Sequence, residues 1–223
     1  MRILTLNLKK HLITMCYLIF RHGLSLRFRQ VGVNRDQVIS YFLLRKFIKI
    51  TDKHGITTWV FAGTLLGAIR NQMFAGRPGD LDFFVRDDDL REVVLILEHE
   101  LIRKSDLIRK LPLVRRTFRI DSQMNLETKT HYVKFYFLGK SLQLFEIASL
   151  TPLLHDGTRF FEFNSIMYPN VWDRLPALEF EALRSSWIYG VQVNVLRNSE
   201  EYLELHYGSD WMTPRPGHKA LRV

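Results

Sequence analysis

Residues Thr57–Val85 read TTWVFAGTLLGAIRNQMFAGRPGDLDFFV. The first five, Thr57–Phe61, are β-branched or aromatic and predict a short strand. Gly63-Thr64 follows, opening a helix over Leu65–Asn71. A loop carrying glycine and proline, Phe74–Gly79, then leads into a second strand, Asp80–Val85. A helix between two early strands makes the chain α+β or α/β, a mixed sheet flanked by helices.

Asp80 and Asp82 stand two apart in the second strand, so their side chains share a face, with Cα atoms ~6.5–7 Å apart. Two carboxylates held together repel unless one takes a proton or a cation sits between them. Mg²⁺ or Mn²⁺ suits that need, being hard and partial to carboxylate oxygen. The alternative is an ordinary pair of surface acids. Gly63-Thr64 just upstream lets backbone N–H groups approach a phosphate at a helix N-terminus. A third acid, Glu146, interrupts an otherwise apolar run, LQLFEIASL, where an acid either faces solvent or meets a cation.

Outward from this stretch, Asn34 or Asp36 caps a helix running to about His54, with Val38, Ile39, Phe42, Leu43 and Phe47 at helical spacing and Gly55 as its C-terminal glycine. Asp87–Asp89 start a helix over Leu90–Ile102. Tyr132–Leu138 and Leu142–Ala148 form two strands about a Gly139-Lys140 turn. Ile188–Val191 marks another turn and strand, and Asn198 with Glu201 forms a capping box for a short helix ending at Gly208.

The chain has 223 residues, 47% of them hydrophobic and 25% charged, which excludes wholesale disorder and fibrous classes. Its single cysteine, Cys16, excludes an intrachain disulfide and a cysteine zinc site. The net charge of +9 is unevenly spread: residues 1–35 carry seven Lys/Arg and no acid, and residues 103–119 carry seven against Asp106. Those stretches together hold +13, so the rest of the chain holds −4. A basic surface on a mildly acidic body fits a polyanionic partner, or is simply a solvated face.

Leu12–Phe20 (LITMCYLIF) is apolar apart from Thr14. As a helix it would rise only ~14 Å, too short to span a bilayer, and no small-residue cleavage site follows. It reads as a helix docked on the protein's own core or lying at a membrane surface. Residues 1–33 are therefore a basic N-terminal helical extension, and residues 34–223 a catalytic domain.

Several signatures are excluded. Gly139-Lys140-Ser141 imitates the end of a P-loop, but position 134 is Lys; His99-Glu100 begins a zincin motif, but position 103 is Arg. There is no G-x-S-x-G elbow and no N-glycosylation site.

Strand, Gly-Thr, helix, D-x-D strand and a later acid-bearing strand resemble the layout of the nucleotidyltransferase superfamily. Gly63-Thr64-Leu65-Leu66-Gly67-Ala68-Ile69-Arg70 resembles the G-T-L-L-G-A-x-R signature of the LicD/fukutin family. Phe74 and Asp80-Leu81-Asp82 follow as in that family. Glu201-Tyr202-Leu203 and Tyr207-Gly208-Ser209-Asp210-Trp211-Met212-Thr213-Pro214 resemble its closing segment. The resemblance covers about residues 36–216. It departs where members carry P-W-D-D-D-I-D: here Arg77, Pro78 and Gly79 replace the Trp and the two leading acids.

That resemblance implies transfer of a phosphorylated alcohol (phosphocholine, or ribitol or glycerol phosphate) from a CDP-linked donor to a glycan hydroxyl, with release of CMP. It implies Asp80 and Asp82 on Mg²⁺ or Mn²⁺, with Glu146 as third ligand or as base for the acceptor hydroxyl. Gly63 and Thr64 are expected to hold donor phosphate. Arg70 neutralises phosphate or is a structural helix residue; Arg77 contacts phosphate or is a loop residue; Lys134 is a further phosphate candidate. Tyr207, Gly208 and Trp211 read as structural closure, and His131 as a surface strand residue. The expected partners are a CDP-alcohol and a glycan acceptor, with membrane contact through residues 1–33 and no nucleic acid. The expected place is the cytoplasm or the inner face of its membrane, or the secretory lumen in a eukaryote. Two other readings stand beside this one: an NTP-using nucleotidyltransferase, and a non-enzymatic basic module for nucleic acid or membrane.

Overall fold

The structure is a computed structural model and describes residues 35–76, 80–100, 118–125, 130–137, 140–165, 168–181 and 184–214. The N-terminal extension, Arg77 and Gly139 lie outside them.

Helix α1 (Arg35–Lys53) buries Val38, Ser40, Leu44, Phe47 and Thr51, the three-and-four spacing of an amphipathic helix. It ends in a Schellman motif: the Ile56 N–H reaches the Thr51 carbonyl (2.9 Å), the Gly55 N–H reaches Asp52 (3.1 Å), and Gly55 sits at φ +69°. Strand β1 (Thr58–Val60) is buried along its length, as a three-residue strand between two neighbours must be. Helix α2 (Ala62–Arg70) begins three residues earlier than its composition predicts, so Gly63 and Thr64 lie in its first turn rather than before it. Strand β2 (Asp80–Arg86) and helix α3 (Asp87–Glu98) follow directly, with Asp87–Asp89 inside the first turn of α3.

Strands β3 (Phe118–Asn125), β4 (Thr130–Phe137), β5 (Lys140–His155), β6 (Thr158–Ser165) and β7 (Tyr168–Pro176) make an antiparallel run. Helix α4 (Leu178–Glu181), strands β8 (Arg184–Ile188) and β9 (Val191–Val195) and helix α5 (Ser199–Tyr207) complete the described chain. The main sheet runs β3-β4-β5-β2-β1-β9-β8, with β6 and β7 continuing from the far half of β5. Pairings β2–β5 and β1–β9 are parallel, so the sheet is mixed and the fold is α+β. Tyr189 (φ +48°) and Gly190 (φ +78°) both take left-handed backbone, the demand of a tight hairpin turn between β8 and β9.

The two faces follow from register. Val60 pairs with Phe83, and Phe83 packs on Phe47 of α1 at 4.1 Å, with Phe145 beside both. Trp59 pairs with Phe84, and both meet Phe180 of α4 on the opposite face, at 5.3 and 5.8 Å. Asp80 and Asp82 share the parity of Phe84 and so belong to this second face.

The capping box expected at α5 does not form. Asn198 is the N-cap residue but makes no side-chain cap bond. Its Nδ2 and its backbone N–H instead donate to the buried carboxylate of Glu179, both at 2.8 Å. No described helix is long and apolar enough to cross a membrane.

Candidate active site

Parallel pairing of β2 with β5 sets Asp80 opposite Leu144 and Asp82 opposite Glu146. Paired residues share a face, so alternation brings Asp80, Asp82 and Glu146 to one side of the sheet. Their carboxylate oxygens lie within 4.8 Å of one another. Asp82 and Glu146 are 4% and 3% exposed; Asp80 is half-buried. Glu146, the acid inside an apolar run, is thus neither solvent-facing nor isolated.

Thr64 holds Asp82 from the first turn of α2. Its backbone N–H (3.1 Å) and its hydroxyl (3.2 Å) both donate to Oδ2, and the hydroxyl oxygen accepts the Asp82 N–H at 2.9 Å. The helix N-terminus adds partial positive charge. The β1–α2 turn that permits this is strained: Phe61 is extended, and Ala62, which is not glycine, sits at φ +45°. The Thr64 donors expected to meet phosphate are therefore engaged on the carboxylate. Gly63 leaves the carboxylate uncovered, since a Cβ there would stand 3.5 Å from Asp82 Oδ2.

Burial, reinforced by the charges of Asp80 and Glu146, pushes the Asp82 carboxyl well above the usual range, and the Thr64 bonds offset only part of that. Burial also raises Asp80, against its own backbone hydrogen bond.

Gly67 fixes the approach of the loop that leads to β2. A Cβ at Gly67 would fall 2.2 Å from the Met73 carbonyl oxygen and 2.8 Å from the Ala75 nitrogen. Only a residue without a side chain lets residues 73–75 cross α2 here, five residues before Asp80 in sequence.

The other candidates separate. Arg70 lies six residues along α2 from Thr64, about 9 Å further down the axis. Its Nη1 donates to the Trp211 carbonyl (3.3 Å), and its buried Nε has no partner among the described residues. This joins the two segments that carry the family resemblance, and gives Arg70 a structural contact away from the carboxylates. Tyr207 and Trp211 are buried in the core, and the Trp211 N–H bonds to the Gly208 carbonyl at 3.0 Å. Lys134 of β4 pairs with Leu144, which pairs with Asp80, so Lys134 sits on the face of the carboxylates two strands away. Asp121 of β3 pairs with Lys134 and extends that row. Asp121 escapes sequence reading because IDSQMN carries no strong strand signal. His131 lies in β4, opposite Ile147.

Three carboxylates at this spacing are a donor set for a hard divalent cation, and Asp80, Asp82 and Glu146 could hold one. An α+β mixed sheet with an acidic cluster beside a Gly-Thr helix start defines the class of this chain. No protein-family model and no curated protein matches it. Among solved structures, it is similar to the crystal structure of the lincosamide antibiotic adenylyltransferase LnuA with lincomycin bound, at 13% identity and a TM-score of 0.44, covering 77% of this chain and 86% of that one. The likeness is loose, and the site stands on its own residues.

Proposed function

We propose that this protein is a metal-dependent transferase that moves a phosphorus group from a nucleotide-linked donor to an acceptor hydroxyl. The observation that carries this is the cluster of Asp80, Asp82 and Glu146, with Asp82 buried and clamped. Mg²⁺ or Mn²⁺, when bound, would neutralise the donor's phosphate charge and polarise the phosphorus. Asp82 is held in place by Thr64, Asp80 reaches towards solvent, and Glu146 acts as third ligand or takes the acceptor proton. The acceptor oxygen attacks phosphorus in line as the bond to the leaving group breaks.

Two versions of this reaction differ in the bond broken. Nucleotidyl transfer takes an NTP, with attack at the α-phosphorus and pyrophosphate leaving. It requires nothing beyond the carboxylate cluster and the open backbone at Gly63. Transfer of an alcohol phosphate takes a CDP-alcohol, with attack at the distal phosphorus and CMP leaving. It is favoured by the LicD-like segments, which pack together through Arg70 and Trp211. Phosphorus NMR with Mg²⁺, the four NTPs, and CDP-choline, CDP-ribitol and CDP-glycerol tests both. Slow metal-dependent hydrolysis would yield pyrophosphate in the first version and CMP in the second, and Asp82→Asn would abolish it. Failure of both donor classes to bind, with or without metal, would refute the proposal.

A further inference from the structure

Helix α1 turns a charged stripe to solvent. Phe42, Arg45, Lys46, Lys49 and Lys53 are all exposed and, at 100° per residue, lie on one side of the helix over about 17 Å. Lys53 is tied to Glu100 at 3.2 Å. Arg45, Lys46 and Lys49 have no hydrogen-bond or ion-pair partner among the described residues. Beside them opens a cleft of about 440 Å³, between Tyr41, Arg45, Lys49 and Asp52 of α1 and Gly190–Gln192 of the β8–β9 hairpin.

The stripe is apolar where it begins, at Phe42. Tyr41 meets Phe42 (5.5 Å) and Tyr189 (6.5 Å) edge-on, and the Tyr189 N–H bonds to the Gln72 carbonyl. Phe42 and Met73 flank this junction at 46% and 42% exposure. Residues 1–34, with six cations, no acid and the apolar run Leu12–Phe20, precede α1 at its N-terminal end.

We infer that this face docks on an anionic membrane surface. Arg45, Lys46 and Lys49 meet lipid phosphates, the cleft receives one headgroup, and Phe42 and Met73 enter the boundary with the acyl chains. A nucleic acid would satisfy the cations but has no apolar layer for Phe42, Met73 and the Leu12–Phe20 run. The inference is independent of the transfer chemistry.

The test is co-sedimentation of the full chain with phosphatidylcholine vesicles, with and without phosphatidylglycerol. Binding is expected only to the anionic vesicles, weakening with salt. Each neutralised cation should cost about fivefold, so the triple Arg45→Gln, Lys46→Gln, Lys49→Gln variant should lose about 100-fold. Phe42→Ser should lose about tenfold. Circular dichroism and an unaltered thermal melt would show that both variants fold. Equal binding by the triple variant and wild type would place the attachment in residues 1–34 alone and overturn the inference. So would absence of vesicle binding, or single-stranded RNA displacing the vesicles with no effect of Phe42→Ser.

Discussion

Asp82→Asn should make the metal-free protein more stable while abolishing its response to metal. Asn keeps the shape, and its Oδ1 still accepts from the Thr64 N–H and hydroxyl now bonded to Asp82. What it removes is repulsion. Two like charges 4.8 Å apart, the outer limit for these oxygens, repel by about 3.5 kcal/mol at an effective dielectric of 20. Screening at half-exposed Asp80 and proton uptake by the cluster reduce the recoverable part to about 1–2 kcal/mol, or a rise in Tm of about 2–8 °C. The gain has a pH signature. A carboxyl whose folded pKa is raised above 3.8 favours folding in its protonated form, so its contribution is fully present below 3.8 and is lost as pH rises through the raised value. The advantage of Asn should therefore widen from pH 4 to pH 8. Divalent metal at a hundred times its Kd should stabilise wild type by about 2.7 kcal/mol, or about 5–10 °C, and leave the variant nearly unmoved. Thermal melts in EDTA, Mg²⁺ and Mn²⁺ at three pH values measure all of this. A variant less stable than wild type in EDTA that keeps the metal shift would refute the reasoning.

Other substitutions follow from the same geometry. Gly67→Ala should lose about 3 kcal/mol by denaturant melts, because its methyl meets backbone at 2.2 and 2.8 Å and nothing flexible can yield; unchanged stability would contradict the packing. Gly63→Ala, with its nearest contact at 3.5 Å, should fold within about 1 kcal/mol of wild type but bind donor more weakly, as titration calorimetry would show. Metal affinity should rise by up to about tenfold per pH unit while the cluster must shed a proton to bind, with proton release measurable in buffers of different ionisation enthalpy; a flat profile would remove the proton from the cluster. Glu179→Ala should cost about 2–3 kcal/mol in chemical unfolding, since it strands the N–H and amide of Asn198 at the start of α5.

The carboxylate cluster was legible because strand alternation is local: D-x-D in a β-rich run shares a face whatever the tertiary structure, and Glu146 stood out as one acid among apolar neighbours. The parallel pairing that sets Glu146 beside Asp82 is a long-range register and leaves no local trace. Nor does the left-handed Ala62 at the start of α2, where Thr64 bonds to Asp82. Strand β7 was hidden by Pro169 and Pro176, and the far half of β5 by Pro152, which lies where β5 leaves β4 and pairs with β6. At Asn198 the capping pattern was present, but a buried glutamate nineteen residues earlier claimed the side chain.

The identity of the groups around Asp82 distinguishes a structural acid cluster from a cation site. Structural clusters of buried acids are neutralised by Arg or Lys from the same chain. Among the described residues the influences on Asp82 are burial, Asp80 and Glu146, all pushing its pKa up, and the neutral donors of Thr64 pulling it down, with no cation among them. Beside it on the same face, Phe61 stacks on Phe84 at 4.1 Å, and Phe84 packs on Phe180, apolar rings that bring no charge to the cluster. Arg70, the cation of the Gly63–Arg70 stretch, donates to the Trp211 carbonyl. Among the described residues the fold thus concentrates negative charge at one point and fixes a buried carboxylate, Asp82, by neutral hydrogen bonds. A divalent cation would satisfy that arrangement, and under the proposed function the half-exposed Asp80 together with the bare backbone of Gly63 would give it and an anionic donor a way in.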